Sequence, residues 1–488
     1  MRLEFAVRAL VAATCAALTS ACVVGPDYHS PDLALPGQWS AITRPSMREK
    51  PALAAWWKRF DDPLLTQLVE EAVAGNLDVA AAAARIREAR AVRDEAAAAL
   101  LPTLDASASA VRSRSAAITP SLPGTQSNLF KAGFDASWDL DLFGGNARNL
   151  EAKAYGVEAA DEDLRATLLT LVGDVARYYI DARGYQARIA LAQRSAASQR
   201  QTAELVQKQF DIGTASGADA AKARAQALST EADIPALDSS YRETVHRLGV
   251  LLGIGPTAAL DRMKKPRAIP VPAIHVAVGI PADVVRGRPD IRKAERQLAQ
   301  ETAGIGVAEA ELYPKVTLDG SIGVSAFQLG NLTKSSAQTW SFGPSLSAPI
   351  FDGGRRLAAI SQQEAVRDRY FVALKATILQ AMEEVENGIV SLRNQKIENE
   401  RLARSTSSYR EAARIARALY ERGSTSFIDE LDAERSLYSS QDTLLRNEVL
   451  LAERYIALFK ALGGGWSGRI EVTQPQIVVR SSGSRPRL

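Results

Sequence analysis

The sequence has few of the residues that bind metals or form disulfides. Its 488 residues include two cysteines and three histidines, His29, His246 and His275. There is no Cys-x-x-Cys and no His-Glu-x-x-His pattern, so we expect neither a metal site nor a disulfide framework. The glycine run 463–465 follows no strand-like run and precedes no lysine, which excludes a phosphate-binding loop. We therefore predict a protein that is not an enzyme and has no catalytic residues.

An excess of charge and a long apolar run are also missing. The 59 basic and 56 acidic side chains leave a net charge of +3, and no basic stripe is present, so we expect no nucleic-acid partner. After residue 21 no stretch of 18 consecutive apolar residues occurs, which excludes a conventional transmembrane helix. Aromatic residues make up 6% of the chain, and much of the hydrophobic fraction is alanine, which favours helices over a thick core.

The N-terminus predicts secretion and lipidation. Arg2 and Arg8 flank an apolar run over 9–18, and Thr19-Ser20-Ala21-Cys22 follows. This is typical of a signal peptide over 1–21 with small residues before a cysteine that carries a covalent lipid. An ordinary signal peptide with an incidental Cys22 is the alternative. Val23, rather than an aspartate, follows the cysteine and favours the outer membrane over the inner one.

The chain contains a tandem repeat. Three landmarks recur in one order at an offset of about 210 residues, so chance similarity is improbable. The landmarks are 101–105 and 314–319, Phe134–Gly145 and Phe342–Gly354, and the turn residues Gly213, Ser216 and Asp219 with Gly423, Ser426 and Asp429.

Each repeat contains two short segments in which apolar and small polar residues alternate. This period of two predicts four strands, at about 102–113, 131–142, 314–326 and 338–350, as in transmembrane β-barrels. A soluble antiparallel sheet with one wet face has the same alternation. The acidic polar face, Trp138 and Trp340 favour the membrane, whereas Pro344 and Pro349 count against it because proline donates no ladder hydrogen bond.

Long helical patterns follow the strands. Apolar residues at a spacing of three and four predict coiled-coil helices at about 145–212 and 353–422, each roughly 100 Å long at 1.5 Å per residue. A soluble coiled-coil rod would show the same pattern. After the signal peptide, the predicted organisation is a lipidated N-terminal segment over 22–60, a first repeat over 61–252, a linker over 253–282, a second repeat over 283–463 and a tail over 464–488.

The number of strands limits what these elements can build. Unpaired backbone groups in hydrocarbon cost several kcal/mol each, so a membrane-spanning sheet must close. Four strands enclose nothing, and single-chain barrels begin at eight. If the strands span a membrane, several copies must share one barrel, and the helices would continue the tube on one side.

Several motifs together resemble the TolC-type outer membrane efflux proteins, in their lipoprotein branch. The motifs are the start Cys22–Tyr28 with the proline-rich stretch to Trp39, the duplicated strand and helix plan, Gly287–Ile291 and Phe427–Leu437. The resemblance covers about residues 22–465. It implies a mixed α and β membrane protein, a homotrimer with a twelve-stranded transmembrane β-barrel continuous with a long periplasmic α-helical coiled-coil barrel.

The resemblance also implies partners and a function. The chain would be the passive exit channel of a tripartite efflux pump, with a periplasmic adaptor and an inner-membrane transporter of the resistance-nodulation-division type. It would lie in the outer membrane, anchored in lipid through Cys22, extend into the periplasm and export small toxic compounds or drugs. Two alternatives remain open: the outer membrane channel of a type I protein secretion system, and a pore-less coiled-coil scaffold lipoprotein of the envelope.

The resemblance places a periplasmic gate at the two repeated turns. Asp429 and Asp432 match the paired acids of the closed family gate, Ile428 and Arg435 match further constriction or network positions, and Tyr420 matches an aromatic that ties neighbouring helices together. Ser216 with Asp219 and Ser426 with Asp429 also form Ser-x-x-Asp patterns, which cap helices without any gating role. For Asp219 the cap is the favoured interpretation. Some members carry an arginine just past the turn glycine, where this chain has Ser424-Thr425.

Overall fold

The structure is a computed structural model, and it describes residues 23–32, 34–40, 53–116, 126–272 and 278–465. A short 3-10 helix, Trp56–Phe60, precedes the regular elements. The helices and strands in chain order are α1 (Pro63–Gly75), α2 (Leu77–Ala98), β1 (Thr103–Arg114), β2 (Gln126–Asp139), α3 (Gly145–Asp211), α4 (Gly217–Leu252), α5 (Pro256–Met263), α6 (Pro281–Gly287), α7 (Pro289–Ala310), β3 (Lys315–Ala326), β4 (Gln338–Ser347), α8 (Arg355–Glu421) and α9 (Phe427–Ala461).

The repeat is visible in the helix lengths. Helices α3 and α8 each have 67 residues, and α4 and α9, which follow them, have 36 and 35. Both long helices end at a glycine with positive φ, +83° at Gly213 and +70° at Gly423. This left-handed conformation suits glycine, which has no Cβ to clash.

The four strands form one antiparallel sheet in the order β1-β2-β3-β4. Strand β2 of the first repeat pairs with β3 of the second, and Phe134 is opposite Ile322 in this register. Within the described residues, β1 pairs only with β2 and β4 pairs only with β3. The sheet therefore has two edges with free backbone hydrogen-bonding groups.

The register sorts the side chains into an apolar and a polar face. Because Cβ atoms alternate across a strand, the aligned row Ala106, Phe134, Ile322 and Trp340 shares a face with the row Leu104, Ala136, Gly320 and Phe342. Trp340 and Phe342 are 79% and 71% exposed. The single row between them, Asp105, Asp135, Ser321 and Ser341, is polar, as the predicted alternation requires.

Strand β2 differs from its predicted range of 131–142. It begins at Gln126 and ends at Asp139. Residues 126–129 show no alternation, and they become strand because they pair with the end of β1, where Arg114 is opposite Gln126. Pro344 lies within β4, on an edge of the sheet, where a missing donor is tolerated.

The chain forms two compact units that cut across the two repeats. The described residues within 1–32, 86–160 and 293–375 form one unit, and those within 33–85, 161–292 and 376–488 form the other. Each unit contains segments of both repeats, because β2 pairs with β3 and the helices of both repeats pack together. A division into repeats is therefore a division of sequence and not of compact structure.

The predicted linker over 253–282 is partly helical. It contains α5 and the start of α6, and each of these helices has a proline at its first turn, where the missing N–H is tolerated. The predicted signal peptide over 1–21, Cys22 and all but the first two residues of the tail over 464–488 lie outside the described residues.

None of the described helices is both long and apolar enough to cross a membrane. No group of three or more histidine, cysteine, aspartate or glutamate residues could hold a metal ion in the part of the chain that the structure describes.

Candidate functional site

The candidate site is built around the two turns that end α3 and α8. In the first turn, the Ser216 hydroxyl accepts a hydrogen bond from the Asp219 N–H at 3.1 Å and donates to Asp219 Oδ2 at 2.7 Å. This contact caps α4 and satisfies an amide that has no partner within the helix. The structure thus shows a capping role for Asp219.

The second turn holds Asp429 more tightly. Its Oδ2 accepts from the Thr425 hydroxyl at 2.6 Å, from the Ser426 hydroxyl at 2.7 Å and from the Ser426 N–H at 3.2 Å. The Asp429 N–H donates to Ser426 Oγ, which completes a capping box. These hydrogen bonds to the charged form lower the pKa of Asp429 below its usual value. Thr425 therefore helps to hold this acid.

A small apolar cluster lies beneath the turns. We call it the turn core. The ends of α3 and α8 and the starts of α4 and α9 all contribute to it, and each of its central residues is buried. These are Val206, Ala220, Ala223, Phe427 and Leu431, with Ala203, Ala215 and Tyr420 packed against them.

Tyr420 joins the ends of the two long helices. Its hydroxyl donates to Gln209 Oε1 of α3 at 2.7 Å, and its ring lies 5.6 Å from the ring of Phe427, centroid to centroid. Burial raises the pKa of Tyr420, and the nearby Glu430 and Asp219 carboxylates raise it further. The phenol is therefore neutral and can donate its hydrogen bond.

Ile428, Asp432 and Arg435 lie on the side of α9 that adjoins Leu431 of the turn core. They line a groove of about 420 Å³ together with Lys222 of α4, which occupies the position in the first repeat that corresponds to Asp432. Ile428 is 44% exposed. Asp429 and Asp432 thus have different surroundings, one in the turn and the other in a groove that also contains two cationic side chains.

The structure also reveals a buried acid that the sequence analysis missed. Glu430 is 3% exposed, and among the described residues its Oε2 atom has no hydrogen-bond partner. It lies three residues after Phe427 and one before Leu431, so helical periodicity places it on the same inward face. This spacing alone could have predicted that Glu430 is buried.

The first described residues of the chain lie against the start of α3. The Val24 N–H donates to Phe143 O at 3.2 Å. Arg148 donates to Val24 O at 3.0 Å, to Gly25 O at 3.1 Å and to Asp27 Oδ1 at 2.8 Å. The segment after Cys22 is thereby fixed beside the junction of β2 and α3, while Cys22 itself lies outside the described residues.

Long paired helices, a four-stranded sheet with free edges and repeated capped turns define the class of outer membrane efflux channels. The model of the outer membrane efflux protein family matches residues 68–254 and 281–464, which is well over half of the chain. The chain belongs to this family.

Individual relatives agree with the family over nearly their whole length. The chain is 38% identical to nodulation protein T of Rhizobium leguminosarum bv. trifolii, over 92% of this chain and 96% of that protein. It is 30% identical to the solvent efflux pump outer membrane protein SrpC of Pseudomonas putida, over 91% and 96%. The solved structure of the outer-membrane channel OprN is 35% identical, covers 91% of this chain and 100% of its own, and has a TM-score of 0.85.

These similarities establish the location and the general role. The chain is an outer membrane protein and acts as an exit channel of an efflux system. Its family consists of channel proteins rather than enzymes.

Proposed function

We propose that three copies of the chain form one passive duct, the exit of a tripartite efflux pump. The observation that carries this proposal is the sheet with free edges at β1 and β4. If β4 of each copy pairs with β1 of the next, three copies give twelve strands and no edge remains, as a sheet in hydrocarbon requires. The closed barrel rests on that pairing, and the number of three copies rests on the resemblance to the TolC-type outer membrane efflux proteins.

The two faces of the sheet support this arrangement. Exposed apolar side chains such as Trp340 and Phe342 would face lipid. The opposite face carries short polar side chains that bond to one another: Ser137 Oγ donates to Asp319 Oδ1 at 2.7 Å, and the Thr317 and Ser345 hydroxyls are 2.8 Å apart. A wet lumen suits such a face.

The partners follow from the energetics of a passive duct. The long helices would continue the barrel into the periplasm, where a periplasmic adaptor would join the chain to an inner-membrane transporter that supplies the energy. The lipoprotein start favours a transporter of the resistance-nodulation-division type. The relative SrpC is named for solvent efflux, which supports small toxic compounds or drugs as cargo.

The gate of the duct would lie at the two turns. Asp429, Asp432 and Arg435 would set the charge around the closed entrance, Ile428 would narrow it, Tyr420 would tie α8 to α3, and Asp219 would hold the first turn. Three copies of the acids around one axis would attract cations. Opening would splay α8 and α9 around the turn glycine between them, Gly423.

A covalent lipid on Cys22 would anchor each copy to the outer membrane. The contacts of the residues after Cys22 support this proposal. Val23 packs against Gly144, and Arg148 donates hydrogen bonds to the backbone carbonyls of Val24 and Gly25. The segment that begins at Val23 is therefore fixed beside the sheet that we assign to the membrane. No other cofactor enters this proposal.

Single-channel recording in planar bilayers tests the duct and the gate together. Wild-type protein should migrate as a trimer that dissociates on heating, and should give small currents that multivalent cations block. Replacing Asp429 and Asp432 together with alanine should weaken that block by at least tenfold in blocking concentration. A control that replaces the exposed Asp94 and Asp368 removes the same charge and should block as the wild type does.

Other results would point elsewhere. A protein that forms no heat-sensitive trimer and no channel would favour the scaffold alternative. If cations block the channels of the double variant and of the wild type equally, the protein is still a duct, but Asp429 and Asp432 do not form its gate.

A further inference from the structure

Glu430 combines burial with an incomplete set of hydrogen bonds. It lies in the first turn of α9, between the buried Phe427 and the buried Leu431, and is itself 3% exposed. Its Oε2 atom accepts no hydrogen bond from the described residues. An ionised carboxylate in such a place is costly, whereas a protonated one is tolerated.

The charged groups around Glu430 do not neutralise it. From α8, Arg417 and Glu421 face it, and from its own helix Glu434 faces it one turn later. Arg417 is already shared: its side chain lies 3.3 Å from Glu421 Oε1 and 3.9 Å from Glu434 Oε1. One guanidinium therefore faces three carboxyl groups.

Among the described residues, the charged groups that act on the Glu430 carboxyl group all lie on α8 and α9, whereas Lys208 of α3 and Arg224 of α4 line a groove with Ala203 and Ala220. The side chains of α3 and α4 that pack into the turn core are apolar, as in Val206, Ala220 and Ala223. Gln209 and Asp219 contact or act on Tyr420. Lys222 of α4 lies in the groove with Asp432, which Leu431 of the turn core also lines.

The first repeat shows that the fold does not need an acid at this position. Counting from the turn glycines, Ala220 corresponds to Glu430, just as Asp219 corresponds to Asp429. Ala220 is 4% exposed, so both positions are equally buried beneath equivalent caps. A small apolar residue fills one of them and a carboxyl group the other.

We propose that Glu430 is a proton-binding switch at the contact between α8 and α9. When its carboxyl group is protonated the two helices stay packed, and when it is ionised they separate more readily. The effect on channel gating rests on the proposed function, whereas the effect on the helix contact does not.

The direction of the pKa shift supports the switch. Burial, and then the nearby Glu434, raise the pKa of Glu430 from 4.5 to about 7. Because the packed state has the higher pKa, its advantage is fully present below about pH 4.5 and is lost as the pH rises through about 7. If the pKa of Glu430 returns to 4.5 when α8 and α9 separate, the equilibrium constant for their separation rises about tenfold between pH 6 and pH 8.

Hydrogen exchange of the lipid- or detergent-embedded protein tests the contact directly. Amides in the first two turns of α9, corrected for the intrinsic dependence of exchange on pH, should lose about tenfold of their protection from pH 6 to pH 8 in the wild type. Glu430→Gln should keep the same protection at both values. Glu430→Ala, which copies Ala220, is a second variant with the same expectation, and Glu411→Gln, an exposed residue on α8, should behave like the wild type.

Two results overturn the proposal: a wild-type protection that does not change between pH 6 and pH 8, or a change that persists in Glu430→Gln and Glu430→Ala. Bilayer currents separate this failure from that of the proposed function. If channels form and are blocked by cations, but exchange shows no dependence on Glu430, the duct stands and the switch fails. If exchange depends on Glu430 but no channel forms, the switch stands and the duct fails.

Discussion

Removal of the Tyr420 hydroxyl should favour the open gate by an amount that the structure allows us to work out. The hydroxyl donates a 2.7 Å hydrogen bond to Gln209 Oε1, so it ties the end of α8 to the end of α3. Tyr420→Phe removes this bond and keeps the ring, which lies 5.6 Å from the ring of Phe427. The packing of the turn core should therefore survive the substitution.

The expected free-energy effect of Tyr420→Phe equals the contribution of one partly exposed hydrogen bond. Such a bond contributes about 1 kcal/mol net, and water can reach Gln209 after the change. If the bond breaks on opening, the ratio of open to closed channels should rise about fivefold, since about 1.4 kcal/mol corresponds to a factor of ten. Tyr420→Ala should have a larger effect, because it also removes an aromatic pair that contributes about 0.5–1.5 kcal/mol.

The assay is the fraction of time that single channels spend open in planar bilayers, measured at one pH and one salt concentration. Tyr409→Phe is the matched control, since Tyr409 lies on the same helix and is 43% exposed. A double-mutant cycle with Gln209→Ala should show a coupling of similar size to the single effect. An open fraction of Tyr420→Phe equal to that of Tyr409→Phe, or fully additive effects in the cycle, would refute the assigned tie.

Two further predictions concern the parts of the chain that hold the duct together. Gly25→Ala should destabilise the protein by about 1–3 kcal/mol and make the N-terminal segment accessible to protease. The reason is that Gly25 has a φ of +89° and that the added Cβ would lie 2.3 Å from Gly306 Cα. Gly37→Ala is the control, because Gly37 has open space around it, and it should change neither the stability nor the protease accessibility. Arg288→Ala should lower the free energy of unfolding by about 3–5 kcal/mol. The reason is that the buried guanidinium donates hydrogen bonds to the carboxylates of Asp290 and Glu384 and to Ala461 O. Thermal unfolding measures this loss of stability, with Arg286→Ala, a substitution at an exposed arginine, as the control.

The regular elements could be predicted because their periodicity is a local property of the sequence. Helices α3 and α8 lie within two residues of the expected limits at each end, since a turn glycine and a capping serine mark where each ends and the next begins. The start of β2 could not be predicted, because residues 126–129 become strand only through their pairing with β1. Pairing partners are distant in sequence, and no local pattern specifies them.

The candidate site was only partly predictable for a related reason. The capping aspartates follow from Ser-x-x-Asp, which is a local pattern. The bond from Tyr420 to Gln209 joins residues 211 apart in sequence, and the placement of Lys222 in one groove with Asp432 depends on how α4 packs against α9. The inward position of Glu430 follows from helical spacing, but its lack of a hydrogen-bond partner is a property of the packed helices.

The two repeated turns share the residues that cap their helices and differ in the residues next to the cap. Both turns keep the glycine and the serine–aspartate cap, which are what the fold requires. They differ at the positions that the cap leaves free: Ala220 and Lys222 in the first repeat correspond to Glu430 and Asp432 in the second. The first turn therefore buries an alanine at the position where the second buries a group that can change its charge. Under the proposed switch, the packing of α8 against α9 depends on the charge of Glu430, whereas the packing around Ala220 has no such dependence. This asymmetry explains why the second helix pair, α8 and α9, is the one that we expect to move while α3 and α4 stay in place.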